Sequence, residues 1–119
     1  MNRELSVHVT RYAGPRCAVV TVSGDLDKMS VPLLKNAVNE LVVMGNPRIV
    51  LDVEGLTFCD STGLGAFVAA MRATSQASGW LRLAGVPGHL ENILCVTDLY
   101  RRFLIDPDVI RSLEHAFEE

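Results

Sequence analysis

Apolar and polar positions change period several times along the chain, and each change predicts an element. Leu5, Val7 and Val9 alternate with Ser6, His8 and Thr10, while Ala18 to Val22 is a β-branched run closed by Gly24. These patterns predict two strands joined by a turn at Ala13-Gly-Pro-Arg16. Leu34, Ala37, Val38, Leu41 and Val42 then follow helical spacing, with Ser30 and Pro32 as start signals and Gly45 as the stop. Arg48-Ile-Val-Leu-Asp-Val53 is apolar without alternation, the pattern of a strand covered on both faces and central in its sheet.

From Leu64 the period is helical again. Leu64, Phe67, Val68 and Met71 share one face, Ala66, Ala70, Ala73 and Ala77 form a small-residue stripe on another, and Gly79 ends the run. Trp80-Leu-Arg-Leu-Ala84 reads as a strand, Gly85-Val-Pro-Gly88 as a turn, and Leu90, Ile93 and Leu94 as a short helix. Phe103-Leu-Ile105 is a short strand. Asp106-Pro107-Asp108 reads as a helix start, with Asp as the cap and Pro at the first helical position, leading into Ile110, Leu113 and Phe117. The order β-β-α-β-α-β-α-β-α predicts an α/β fold with a largely parallel sheet and an antiparallel edge from the opening hairpin.

The chain has 119 residues, 49% of them hydrophobic and 21% charged, which predicts one domain over residues 1–119 that folds without staples. A chain of this size buries roughly two thirds of its unfolded surface. With 14 acidic and 11 basic side chains the net charge is -3, and no Lys/Arg block occurs, which argues for a protein partner over nucleic acid or an anionic membrane. The longest apolar run, Leu64 to Met71, is far shorter than a membrane span, and Met1 to His8 lacks the apolar stretch of a signal peptide. A cytoplasmic location with a frayed Glu118-Glu119 end is expected. Cys17, Cys59 and Cys95 form no Cys-x-x-Cys and are expected to be reduced, mostly buried thiols.

The most unusual segment is Thr57-Phe-Cys-Asp-Ser-Thr-Gly-Leu-Gly65, between the presumed central strand and the second long helix. It lies at the carboxyl edge of the sheet, where ligands and partners bind in open α/β folds. Asp60, Ser61 and Thr62 are all competent helix caps, with Thr62 favoured over Ser61. Capping leaves Gly63 and Gly65 unexplained, since each costs about 1 kcal/mol relative to Ala inside a helix. Access is the preferred reason: without side chains there, another molecule reaches the backbone and the Ser61 hydroxyl.

Enzymatic readings are weaker. Ser61 lacks the Gly-x-Ser-x-Gly elbow, and His8, His89 and His115 are distant in sequence and flagged by no motif. Cys59 beside Phe58 reads first as an apolar filler and only second as a thiolate near a helix N-terminus. Gly63-Leu-Gly65 begins a dinucleotide fingerprint, but Val68 stands where its third glycine belongs, and no Gly-x-x-x-x-Gly-Lys occurs. There is no His/Cys metal cluster, and Asp25 and Asp27 read as turn carboxylates until something converges on them. No catalytic residue, cofactor or metal is expected.

Asp60-Ser-Thr-Gly-Leu-Gly65 after an apolar strand resembles the signature of the bacterial anti-sigma factor antagonists, single-domain members of the STAS family. Gly24-Asp-Leu-Asp27 is similar to the family's Gly-Asp/Glu-Leu-Asp segment, and the element order matches along nearly the whole chain. The resemblance implies a non-enzymatic protein whose partner is an anti-sigma factor with serine kinase activity, and a phosphorylated serine directly after the signature Asp, here Ser61. It implies partner contacts at Asp27, Asp60, Ser61, Thr62, Gly63 and Leu64, and resetting by a serine phosphatase. Asp27 is readable both as a neighbour of the phosphosite and as a satisfied turn residue; Leu64 and Ala66 are readable both as contact surface and as core. A structural or scaffold subunit of a larger assembly, without a free phosphoswitch, is the alternative role, and the absence of a fused domain favours the free antagonist.

Overall fold

A computed structural model describes residues 3–118; the readings that involve Met1, Asn2 and Glu119 lie outside the described residues. The chain runs β1 (Ser6–Ala13), β2 (Arg16–Leu26), α1 (Val31–Val43), β3 (Arg48–Asp52), β4 (Leu56–Cys59), α2 (Ser61–Gln76), β5 (Trp80–Ala84), α3 (Gly88–Val96), a 3-10 turn (Tyr100–Arg102), β6 (Leu104–Asp106) and α4 (Val109–Phe117). The expected order stands, with β4 as an added short strand. The main path of the sheet is β1-β2-β3-β5-β6, so β3 is central as its unalternating sequence predicts, and β4 pairs with the far half of β2.

β1 is the antiparallel edge, closed on β2 by the two-residue turn Gly14-Pro15, whose peptide bond is cis. All other pairings are parallel. Two faces follow from strand alternation. Ala18, Val20 and Val22 of β2, Ile49 and Leu51 of β3, and Leu81 and Leu83 of β5 join a large core with Leu34, Val38 and Leu41 of α1, Phe67 of α2, and Leu90 and Leu94 of α3. On the other face Val19, Val50 and Ala84 make a smaller core with Trp80, Val109 and Leu113, under α4. β3 is thus apolar at successive residues because both its faces are covered.

One local expectation at the last helix is corrected. Asp106 closes β6, and the cap of α4 is Asp108, whose carboxylate accepts the Arg111 N–H at 2.9 Å; Pro107 precedes the cap. Of the residues that marked this helix, Leu113 packs against the second core and Ile110 and Phe117 are exposed, while Ser112 and Ala116 are buried. The cause is Asp106: it is itself buried, and it draws the Ser112 hydroxyl to 2.6 Å, which sets the rotation of α4 on the sheet. Among the described residues no helix is long and apolar enough to cross a membrane. Cys17 and Cys59 are buried and Cys95 is exposed, all three with free thiols.

Candidate functional site

β2 and β4 run parallel with Leu26 opposite Cys59, so Asp27 and Asp60 are the next residues at adjacent strand ends. The Asp60 N–H still donates to the Leu26 carbonyl at 3.4 Å. Asp60 has extended backbone geometry and its Oδ1 accepts the Gly63 N–H at 3.0 Å, making it the N-cap of α2. This corrects the expectation that Thr62 caps the helix: Ser61 and Thr62 are already in its first turn, and both are exposed. An exposed hydroxyl at the first position of a helix sits where free amides favour a negative charge.

Gly63 and Gly65 differ in reason. A Cβ on Gly63 would lie 2.7 Å from Cys59 Sγ and 3.1 Å from the Leu26 side chain, so this glycine allows the start of α2 to press against β2 and β4. Access does not explain it, since the residue is buried. At Gly65 nothing lies within 4 Å of such a Cβ and the residue is exposed, which fits the access reading. Leu64 and Ala66 are core residues at 7% and 2% exposure. Of the six expected contact residues, the fold therefore brings Asp27, Asp60, Ser61 and Thr62 to the surface at one edge and places Gly63 and Leu64 beneath it.

Asp27 organises the turn into α1. Its Oδ1 accepts the N–H groups of Met29 and Ser30 at 3.0 and 3.1 Å, and its own N–H donates to Ser30 Oγ at 3.0 Å. The Ser30 hydroxyl donates to the Asp25 carbonyl at 2.8 Å, its shortest contact. Asp27 is thus a satisfied turn residue, as one of the two readings held. Asp25 Oδ1 accepts the Thr57 hydroxyl at 2.6 Å and Oδ2 accepts the Arg3 N–H at 3.0 Å. The Thr57 bond, followed by that of Arg3, holds the Asp25 carboxyl below its usual range. The close approach of the Arg3–Leu5 segment is possible because Gly24 has φ +97° and carries no Cβ, which would strike the Glu4 carbonyl oxygen.

The histidines are engaged elsewhere: His8 is exposed on β1, His89 Nε2 lies 2.9 Å from the Leu56 carbonyl oxygen, and His115 Nε2 lies 3.4 Å from Asp106 Oδ1. Burial, aided by the Asp60 charge, pushes the Cys59 thiol up to about 12, so it is neutral and no nucleophile. Among the described residues no group of three or more His, Cys, Asp or Glu side chains is placed to hold a metal ion. What the site offers is surface chemistry: an exposed hydroxyl directly after the capping Asp60, with Asp27 at the adjacent strand end; Met29 and Leu33, which share an open cleft with Asp27, and Phe58 of β4 are exposed apolar residues at this end of the sheet. Met29 and Leu33 escaped the sequence reading, although Leu33 falls off the Leu34-Val38-Leu41 core face of α1 and Met29 precedes the helix.

The family profile described as Mlab, STAS domain matches residues 9–106. The chain belongs to the STAS family. This STAS domain is 32% identical over 80 residues to the anti-sigma-B factor antagonist of Staphylococcus aureus (strain NCTC 8325 / PS 47), a match that spans 67% of this chain and 74% of that protein. Its fold is similar to that of an anti-sigma factor antagonist from Mycobacterium paratuberculosis, with a TM-score of 0.82 at 22% identity, over 98% of this chain and 96% of that one. It is also similar to part of the murine anion transporter Slc26a9, with a TM-score of 0.77 at 14% identity, over 98% of this chain but 22% of that one. One fold thus occurs in proteins of unlike roles, and the fold by itself does not choose between them.

Proposed function

We propose that this STAS domain is an anti-sigma factor antagonist: unphosphorylated, it binds an anti-sigma factor with serine kinase activity and so frees a sigma factor, and phosphorylation of Ser61 ends that binding. The observation that carries the reading is Ser61 itself, exposed at the first position of α2 and directly after the capping Asp60. Asp27 at the adjacent strand end and the exposed Met29, Leu33 and Phe58 supply the surrounding contact surface. The curated S. aureus relative, alike enough in sequence to share more than the fold, supports this choice over the scaffold role.

The kinase partner brings ATP. The hydroxyl of Ser61 attacks the γ-phosphorus and gives its proton to a base of the kinase, the bond from the γ-phosphorus to the bridging β-phosphate oxygen breaks, and ADP leaves. A phosphoserine adds about −1.5 to −2 charge beside Asp60. The free amides at the start of α2 tolerate that charge, so the domain stays folded while the bound surface is repelled and desolvated unfavourably. A serine phosphatase returns the hydroxyl by hydrolysis.

The test is a binding series with the cognate anti-sigma factor. Ser61→Ala retains binding and resists phosphorylation. Ser61→Glu, with one charge and no phosphate oxygens, weakens binding less than phosphoserine does. Peptide mass spectrometry after incubation with the kinase and ATP should find the phosphate on Ser61. A phosphate confined to Thr62 refutes the assignment, and equal affinity of the Ala, Glu and phosphoserine forms refutes the switch in favour of the scaffold role.

A further inference from the structure

The two ends of the sheet carry opposite surfaces. At the carboxyl end, an open cleft of about 320 Å³ is lined by Glu4, Asp25 and Asp27 together with Leu5, Met29 and Leu33; Ser30 and one cation, Arg3, complete it. Met29 is 86% exposed and Leu33 53%, so the apolar part faces solvent. The turn bonds of Asp27 fall on Oδ1, which leaves Oδ2 able to accept from another molecule.

At the amino end, the β1–β2 hairpin tip stands beside the end of α1. Arg11 Nη2 lies 3.7 Å from Met44 Sδ, and Arg16 Nη2 donates to the Gly45 carbonyl at 3.3 Å. Val43 and Met44 at the end of α1 are exposed beside these guanidinium groups, and Tyr12 is exposed on the opposite face of the hairpin. One pole is therefore concave, acidic and apolar, and the other is projecting, basic and apolar. Like poles repel, which rules against a two-fold contact of either pole with itself; unlike poles match.

We propose that a second copy of this chain seats its hairpin tip in the cleft of the first, with Arg11 and Arg16 meeting Glu4, Asp25 and Asp27 while Val43 and Met44 cover Met29 and Leu33. The contact is heterologous and leaves one free cleft and one free tip, so it repeats into short chains. It is salt-sensitive, because the pairs are exposed and their attraction is screened within about 8 Å at physiological ionic strength. Asp27 lines the cleft and Asp60-Ser61 follow at the next strand end, so a docked copy covers the approach to Ser61. Self-association and the proposed partner then exclude one another, although the docking itself does not depend on that partner.

Sedimentation velocity of the full chain, from micromolar to near-millimolar concentration at low and high salt, tests this. The weight-average mass should rise with concentration above the 13.0 kDa monomer and fall back in high salt. Arg11→Glu with Arg16→Glu removes the tip, and Met29→Arg with Leu33→Arg removes the cleft; each pair should weaken association at least tenfold. Mixed in equal amounts, the two variants should form dimers and nothing larger, since one intact tip meets one intact cleft. A wild-type chain that stays monomeric throughout overturns the inference, as does association that survives the arginine reversals or a mixture that fails to dimerise. Failure of the monomeric Arg11→Glu, Arg16→Glu chain, whose cleft and Ser61 are intact and uncovered, to bind the kinase would sink the proposed function and leave this inference standing.

Discussion

Gly63 and Gly65 stand two residues apart in the first turn of α2, and replacing each with alanine should move stability in opposite directions. At Gly63 the added methyl meets Cys59 Sγ and Leu26 in a filled core, an overpacking that costs roughly 1–3 kcal/mol and exceeds the gain in helix propensity. At Gly65 the methyl points into open space, so the helix gains up to about 1 kcal/mol. Denaturant melts separate the two, and a Gly65→Ala chain that is no more stable than wild type would show that the open position is strained in some other way. If a partner approaches the backbone at this turn, Gly65→Ala should also lose affinity while gaining stability. The cysteines divide by the same logic of burial. Cys95 should react with a thiol reagent in the native state, and Cys17 and Cys59 only on unfolding; for Cys59 burial adds a second block by keeping the thiol neutral.

At the scale of the element, the cap of α2 decides how Ser61 is presented. Asp60→Ala leaves the Gly63 N–H without its acceptor and should cost about 0.5–2 kcal/mol, whereas Thr62→Ala, which removes no cap, should cost well under half of that. Equal losses in urea titrations would contradict the assignment of the cap. The long elements were legible because their period is strong: α1, α2 and β3 follow directly from spacing, caps and unbroken apolar runs. β4 was not, because Thr57 and Phe58 are both exposed and its four residues neither alternate nor form an apolar run; it is a strand only because the far half of β2 offers it a parallel partner. Of the apolar residues that marked α4, Leu113 packs on the second core while Ile110 and Phe117 are exposed, because the buried Asp106 holds Ser112 against the sheet and turns Ala116 inward with it. The carboxyl-edge position of Ser61 and the core reading of Leu64 were available from the sequence; that Gly63 lies under the surface depends on how the start of α2 presses against β2 and β4, which no local pattern encodes.

Across the whole molecule, α4 is fastened to the second face of the sheet by a polar network in addition to its small apolar core. Asp106 is 4% exposed, accepts Arg82 Nε at 2.7 Å and the Ser112 hydroxyl at 2.6 Å, and lies near His115; Arg82 itself sits over the Trp80 ring, 5.9 Å from its centroid. Burial alone would raise the Asp106 carboxyl, but the hydrogen bonds from Arg82 and Ser112 and the charge of Arg82 outweigh it, so the group titrates below its ordinary value. A carboxyl with a lowered folded-state pKa stabilises the native state fully above its unfolded value of about 3.9 and loses that contribution as pH falls through the folded-state value. Stability should therefore be insensitive to this group near neutrality and decline below about pH 4, with Asp25, whose carboxyl is also held low, adding an effect of the same sign. Asp106→Asn tests the argument at both ends of the range. At neutral pH it strips the charge partner from a largely buried Arg82 and should cost roughly 3–5 kcal/mol. Below pH 4 its stability should fall less steeply than that of the wild type, because the group that takes up the proton is gone. Parallel acid-unfolding curves for the two proteins would mean that other carboxylates set the acid limit and that Asp106 acts only through packing.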